Sequence, residues 1–303
     1  TSAVAAQPLD YVLIDPPRTR AAGGTKTVYL NRCVAGCTAT AGDDDATQDR
    51  SSILGVRGAP ATATLAPFAW SQAVWDATVA CVRERFAPFQ ITVVTDEPTT
   101  GRYLEMMVAG APSALALASN TLGVAPLTNN CSALPSAIGF VFANAHPERP
   151  EQVEELCTTV IHEAGHLYGL DHEFECRDPM TYLGGCGSKV FLNHAAQCGE
   201  TMPRDCQCGA TQNSFLKLLR TVGPGTPPAG ATLRMDYPMA DAVVASRFSV
   251  FAVVESPRPV RELSLWINGR AWVRVPGEDQ DHLYQLDTPA EVPDGVLDLE
   301  LRA

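Results

Sequence analysis

Residues 162–172 read His-Glu-Ala-Gly-His-Leu-Tyr-Gly-Leu-Asp-His, and this segment constrains the 303-residue chain more than any other. On a helix, residues four apart lie one above the other on the same face. His162 and His166 can therefore present two imidazoles to one ion at the ~2.0–2.1 Å of a zinc–nitrogen bond. Glu163 stands beside them, placed to reach a water on the ion without being a ligand. Gly169 permits a sharp exit from the helix, and the turn returns His172 as a third ligand. A continued helix would carry His172 away. Three protein ligands leave a fourth position for water, the arrangement of a catalytic zinc site. Three of the chain's six histidines fall within this segment at the required spacing, which sets them apart from ordinary polar residues on a helix. The helix itself is predicted over Pro150 to Leu170. Pro150 suits a first helical position, and Glu151, Glu154 and Glu155 suit the positive end of the dipole. Val153, Leu156, Val160, Ile161 and Leu167 form its apolar side.

The spacing His162-Glu163-x-x-His166-x-x-Gly169-x-x-His172 resembles the signature of the metzincin zinc peptidases. A second element of that family follows in Asp178-Pro179-Met180-Thr181-Tyr182. Met180 looks like the methionine of the family's Met-turn, beneath the metal. Tyr182 resembles the tyrosine that astacin-like and serralysin-like members place near the zinc. Glu173 is reminiscent of astacins, although the rest of that pattern is missing. The resemblance covers Val160 to Tyr182 and leaves the subfamily open. It implies peptide-bond hydrolysis by a zinc-bound water, with Glu163 as general base and Tyr182 as a second catalytic group. It also implies an edge strand that aligns extended substrate, with Tyr103 to Val108 and the run near Ala137 to Phe142 as the two candidates.

Around this segment the chain reads as an α/β (α+β) catalytic domain, residues 1–222, opening with an extended arm over 1–26. Strands are expected at Thr27 to Leu30, Ile91 to Thr95, Tyr103 to Val108 and Ala137 to Phe142. A helix over Trp70 to Phe86 carries Val74, Ala77, Thr78, Cys81, Val82 and Phe86 on one side and ends before Pro88. Cys33 to Ser52 is expected as a loop, and a short helix near Ser214 to Arg220. Residues 223–230 (GPGTPPAG) read as a linker. Residues 231–303 contain no cysteine and alternate in Arg247 to Val254, Leu263 to Ile267, Ala271 to Val275 and Val296 to Leu301. Asn268-Gly269 is a hairpin signal, so this part is expected to be a small immunoglobulin-like β-sandwich serving as an accessory domain.

The ten cysteines all lie between Cys33 and Cys208. Cys206-Gln-Cys208 has no second knuckle to complete a structural zinc site, so disulfides are expected, and with them a secreted, extracellular protein. No leader is legible in Thr1 to Gln7. Cys33 could block a zinc site only if unpaired, and Cys37 stands close enough to pair with it. The net charge of −12 argues against a nucleic-acid partner, and no apolar run is long enough to cross a membrane. The expected partners are protein or peptide substrates, with surface or substrate binding by the β domain. Two alternatives come from other classes: an adhesive protein with a vestigial zinc domain, and a zinc amidase acting on cell-wall peptides. An intact Glu163 speaks against the first. Asp43, Asp44, Asp45 and Asp49 offer hard oxygens for calcium or a solvated loop. His146, His194 and His282 read as isolated polar residues.

Overall fold

A computed structural model describes residues 10–16, 24–56, 58–184, 186–226, 232–256, 260–277 and 283–303. Most of the expected N-terminal arm, part of the linker (227–230) and His282 lie outside these residues. The chain divides into two compact units, Thr1–Thr226 and Pro227–Ala303.

The first unit runs β1 (Asp10–Ile14), β2 (Thr27–Asn31), β3 (Cys37–Ala41), β4 (Arg50–Ser51), β5 (Thr62–Leu65), α1 (Gln72–Phe86), β6 (Thr92–Val94), β7 (Leu104–Val108), β8 (Gly123–Thr128), β9 (Ala137–Val141), α2 (Gln152–Leu167) and α3 (Ser214–Val222). Six strands form one sheet in the order β1-β8-β9-β7-β2-β6. Neighbours are parallel except β8 and β9, which pair antiparallel through Gly123↔Val141 and Val124↔Phe140. Every residue of β7 and β9 is buried, as expected of strands covered on both faces. Val28, Leu30, Leu104 and Met106 pack with Val79 and Val82 of α1 and Val160 and Ile161 of α2 in one apolar cluster. Tyr29, Met107, Phe140 and Phe142 belong to a second, closed by Ala39 of β3, Leu65 of β5 and the residues Ile53 and Leu54. The disulfide Cys81–Cys157 and the ion pair Arg85–Glu154 (2.9 Å) tie α1 to α2.

Several expectations change here. The supposed arm contains β1, which adds itself to the sheet beside β8. The supposed loop Cys33 to Ser52 contains β3 and β4. Their Thr and Ala side chains are small, so the alternation in Cys-Thr-Ala-Thr-Ala carries little apolar contrast. Neither candidate edge strand is at an edge: β7 and β9 are interior. Sequence reading also missed β8, whose Pro126 argues against a central strand. Only Gly123 and Val124 pair with β9, so the proline falls beyond that ladder. In α1 the buried face centres on Trp75, Thr78, Val79 and Val82, and Ala77 is exposed. The Asp43–Asp49 cluster serves its own turns. Asp44 accepts from Ser52 N (3.0 Å) and Oγ (2.7 Å), and Asp45 accepts from Thr47 N (3.1 Å). Among the described residues these aspartates form no converging ligand group.

The second unit contains β10 (Thr232–Tyr237), β11 (Ser249–Glu255), β12 (Glu262–Ile267), β13 (Arg270–Pro276), β14 (Leu283–Asp287) and β15 (Leu299–Arg302). They make two antiparallel three-stranded sheets, β10-β11-β14 and β13-β12-β15. Val250, Ala252, Tyr284 and Leu286 of one share an apolar cluster with Leu263, Leu265 and Ile267 of the other. Asn268 and Gly269 turn the β12–β13 hairpin with φ of 51° and 78°, the positive values a two-residue turn of this hand requires.

His194 is exposed, as an isolated polar residue should be, but His146 is buried in the first unit, and neither of its ring nitrogens has a partner among the described residues. Burial, with Arg149 adding to it, lowers its pKa from 6.5 to about 4. The folded state therefore holds this ring neutral, while the unfolded chain takes a proton below about 6.5. That stability is fully present above the unfolded value and is lost as pH falls through the folded one. Replacing His146 with leucine should reduce the stability lost between pH 7 and pH 4 by about 3 kcal/mol, measured by denaturant unfolding at each pH.

Candidate metal centre

α2 is amphipathic, with Glu154 and Glu155 in its first turn, and its last two turns are buried on every side. It breaks after Leu167. Gly169 then takes φ +85°, and a side chain there would overlap the carbonyl of Cys131, so both conformation and space demand glycine. The turn reverses the chain and sets His172 opposite the helix.

The three predicted ligands meet. Nε2 of His166 lies 3.0 Å from Nε2 of His162 and 3.1 Å from Nε2 of His172. All three rings are buried. Their outer nitrogens each face an acceptor: Nδ1 of His162 donates to Pro179 O (2.7 Å), Nδ1 of His166 to Leu170 O (2.7 Å), and Nδ1 of His172 to Glu200 Oε1 (2.9 Å). A carbonyl or carboxylate oxygen can only accept, so the proton of each neutral ring sits on Nδ1. Three Nε2 lone pairs then converge, an arrangement that repels unless a cation lies among them. Tetrahedral ligands at ~2.0–2.1 Å stand about 3.3 Å apart, close to the spacing found. Burial, together with the neighbouring imidazoles, holds His162 and His166 well below the ordinary histidine pKa, which keeps them neutral and able to ligate. The donor set fits zinc.

The other predicted residues surround this cluster. Glu163 is fully buried, and its carboxylate lies so close to Gly123 at the start of β8 that a side chain there would overlap it. Met180 is fully buried, with its thioether against Gly165 on the helix between His162 and His166, where a methyl group would not fit. Its turn is held by Asp178, which accepts from Met180 N (2.8 Å), from Leu192 N (2.9 Å) and from Ser214 Oγ. The ring of Tyr182 lies 4.5 Å from that of His172 and 6.3 Å from that of His162. Glu173 is buried, donates its N–H to Met180 O (2.7 Å) and accepts from Gln212 Nε2 (3.0 Å).

Sequence reading missed the support of the third ligand. Arg204 grips Asp171 with two nitrogens (2.7 and 2.8 Å) and Glu200 with one of them (2.7 Å). Burial pushes the Asp171 carboxyl up, but the hydrogen bonds and charge of Arg204, together with the N–H groups of Gln207 and His172, hold it below the usual range. Residues 198–206 form a small hairpin closed by Cys198–Cys206, with Cys198 and Arg204 exchanging both backbone hydrogen bonds. Gly199 N docks this hairpin on His172 O (3.0 Å). Cys131–Cys208 anchors it near the end of β8, and Cys176–Cys186 encloses the Met180 turn. Cys33–Cys37 is also a disulfide, so Cys33 is no thiol blocker. Tyr11 of β1 was missed too. Its ring lies 4.9 Å from His166 and 4.8 Å from His172, and its hydroxyl donates to Asp171 Oδ1 (3.2 Å). The β-prone apolar run Tyr-Val-Leu-Ile after Asp10 was the signal that could have found it.

No family model matches the chain, and no curated protein matches it. Among solved structures, the crystal structure of an archaemetzincin from Methanopyrus kandleri is similar at 13% identity, with a TM-score of 0.27 over 69% of this chain and 92% of that one. At that TM-score the likeness carries no inference, and the reading of the site rests on this chain's own residues.

Glu200 differs from the other two acceptors in carrying a charge, which raises the basicity of the ligand it orients. Glu200→Ala should weaken zinc binding by ~10–100-fold, read as a dissociation constant by competition with a chromogenic chelator. Glu200→Gln, which keeps an acceptor oxygen, should recover part of the loss.

Proposed function

We propose that the first unit is a zinc-dependent endopeptidase, with His162, His166 and His172 holding the ion, residues 1–222 as the catalytic domain, 223–230 as linker and 231–303 as an immunoglobulin-like accessory domain. The single observation that supports it most is the convergence of three Nε2 lone pairs whose Nδ1 protons are all turned outward to fixed acceptors. A zinc ion there would lower the pKa of a water toward ~7 and polarise a carbonyl. Glu163, the residue after the first ligand, is the general base: it takes the proton of the attacking water and passes it to the leaving amine. Tyr182, beside His172 and only partly buried, donates its hydroxyl to the oxygen on which negative charge develops. Met180 fills the space beneath the helix and keeps the two ligands of α2 from shifting.

The substrate is an extended polypeptide. β8 begins at the Glu163 carboxylate, and its outer edge, along which β1 pairs from Asp10↔Val124 to Ile14↔Thr128, is the ladder that an extended chain at the metal centre would have to take over. Export belongs to the same reading: five disulfides are compatible with an oxidising compartment, and no described helix is long and apolar enough to cross a membrane.

Purified protein should carry about one zinc per chain by elemental analysis. Glu163→Gln should leave the zinc in place and lower kcat/KM on a peptide library by ~10²–10⁴-fold. Tyr182→Phe should lower it by ~10–10³-fold with zinc content and Tm little changed. A Glu163→Gln variant as active as wild type would remove the role given to that residue.

A further inference from the structure

Tyr182 stands beside His172 in a stretch, residues 181–184 and 186–190, that is neither helix nor strand. Irregular chain holds a phenol poorly, and a donor helps a transition state only if it is already in place. Two side chains brace the backbone here. Thr181 Oγ1 accepts from Leu183 N (3.1 Å). Lys189 Nζ donates to Leu183 O (2.7 Å) and to Thr181 O (3.5 Å), the carbonyls on either side of Tyr182. A half-buried lysine ordinarily carries its ammonium out to water, but Lys189 turns it onto these two oxygens. Burial lowers its pKa to about 8, against the pull of Asp178, so at neutral pH it is an ammonium with three protons to donate. We infer that Lys189 is the positioning residue of Tyr182, clamping the backbone on both sides so that the phenol stays beside His172; this rests on the peptidase reading above.

The clamp is itself fixed to the frame that carries the histidines. The backbone N–H of Lys189 donates to Glu154 Oε1 (3.4 Å), about two turns before His162 on α2. Arg85 of α1 grips both oxygens of Glu154 (2.9 and 3.0 Å), and Cys81–Cys157 ties the same two helices together. Val190 N, the next donor along the chain, bonds Arg177 O (3.1 Å) on the entry side of the Met180 turn. The path Arg85, Glu154, Lys189 thereby sets the place of Tyr182 relative to the helix of His162 and His166. The disulfide Cys176–Cys186 closes the outside of the same loop. It joins neither neighbour of Tyr182, so it limits how far the loop spreads without fixing where the tyrosine stands.

The test is a double-mutant cycle on the full zinc-loaded chain, with Lys189→Met, Tyr182→Phe and both together, read as kcat and KM on one peptide. Lys189→Met keeps the length of the side chain and removes its donors. It should lower kcat by ~10–10²-fold, the loss expected when a group at the chemistry moves by about 1 Å, with KM, zinc content and Tm little changed. In the Tyr182→Phe background the same substitution should cost under ~2-fold, because the hydroxyl it places is already gone. Lys189→Arg, whose fork can donate to both carbonyls, should recover part of the loss. A second readout needs neither metal nor activity. With fluorotyrosine in place of the seven tyrosines, the fluorine NMR line that Tyr182→Phe removes should be single and narrow in the wild type. Lys189→Met should broaden or split that line, in zinc-free protein as well. Full activity in Lys189→Met, equal losses in the two backgrounds, or a Tyr182 line that Lys189→Met leaves unchanged would overturn the clamp and leave the metal centre and Glu163 standing. So would a Lys189→Met protein that loses zinc and Tm along with kcat and is not rescued by arginine, since Lys189 would then be structural. Wild-type protein without zinc-dependent hydrolysis would remove the peptidase reading, and the positioning role with it, whatever the fluorine line does.

Discussion

Three buried imidazoles must point their lone pairs at one another and their protons away. In water this arrangement has no reason to form. Inside the protein it stands only because Pro179 O, Leu170 O and the Glu200 carboxylate accept the three outward protons. Each acceptor comes from a different piece of chain: the Met180 turn, the exit from α2, and the hairpin 198–206. The rest of the first unit can be understood as what holds those three pieces still. A loose acceptor would let its ring turn, and a turned ring would aim an N–H where a lone pair is needed.

The two histidines of α2 need little help, because a helix packed on the sheet fixes both at once. The third sits in irregular chain, and there the cysteines concentrate. Cys198–Cys206 closes the hairpin that carries Glu200 and Arg204, Cys131–Cys208 anchors it, and Cys176–Cys186 closes the turn around Met180. A cross-link limits the excursions of a segment that has too few apolar side chains to pack itself down.

Much of the centre was legible in residues 162–182. A helix places i and i+4 together by geometry alone, Gly169 marks where it must break, and the methionine follows at a short interval, so His162, Glu163, His166, His172, Met180 and Tyr182 could all be named from local spacing. The strands β7 and β9 were legible as apolar runs, but their places in the sheet were not. Strand order depends on which faces the helices cover, and each of the two runs looks as much like an edge as like a centre. β8 was hidden by Pro126, and β1 by the Ala-, Pro- and Gly-rich composition of its neighbours.

Sequence alone therefore determined which histidines converge and which carboxylate stands beside them, the residues proposed as metal ligands and base, because their relation is set within one helix and one turn. It also determined that the cysteines would pair, since their number and spacing leave no structural zinc site. Only the tertiary structure decided what those ligands lean on. Glu200 reaches His172 across 28 residues, Arg204 reaches Asp171 across 33, and Tyr11 reaches Asp171 across 160. No local pattern marks a partner at such distances. The meeting of these side chains depends on how the sheet stacks its strands and how the disulfides fold the cysteine-rich segment back on the helix.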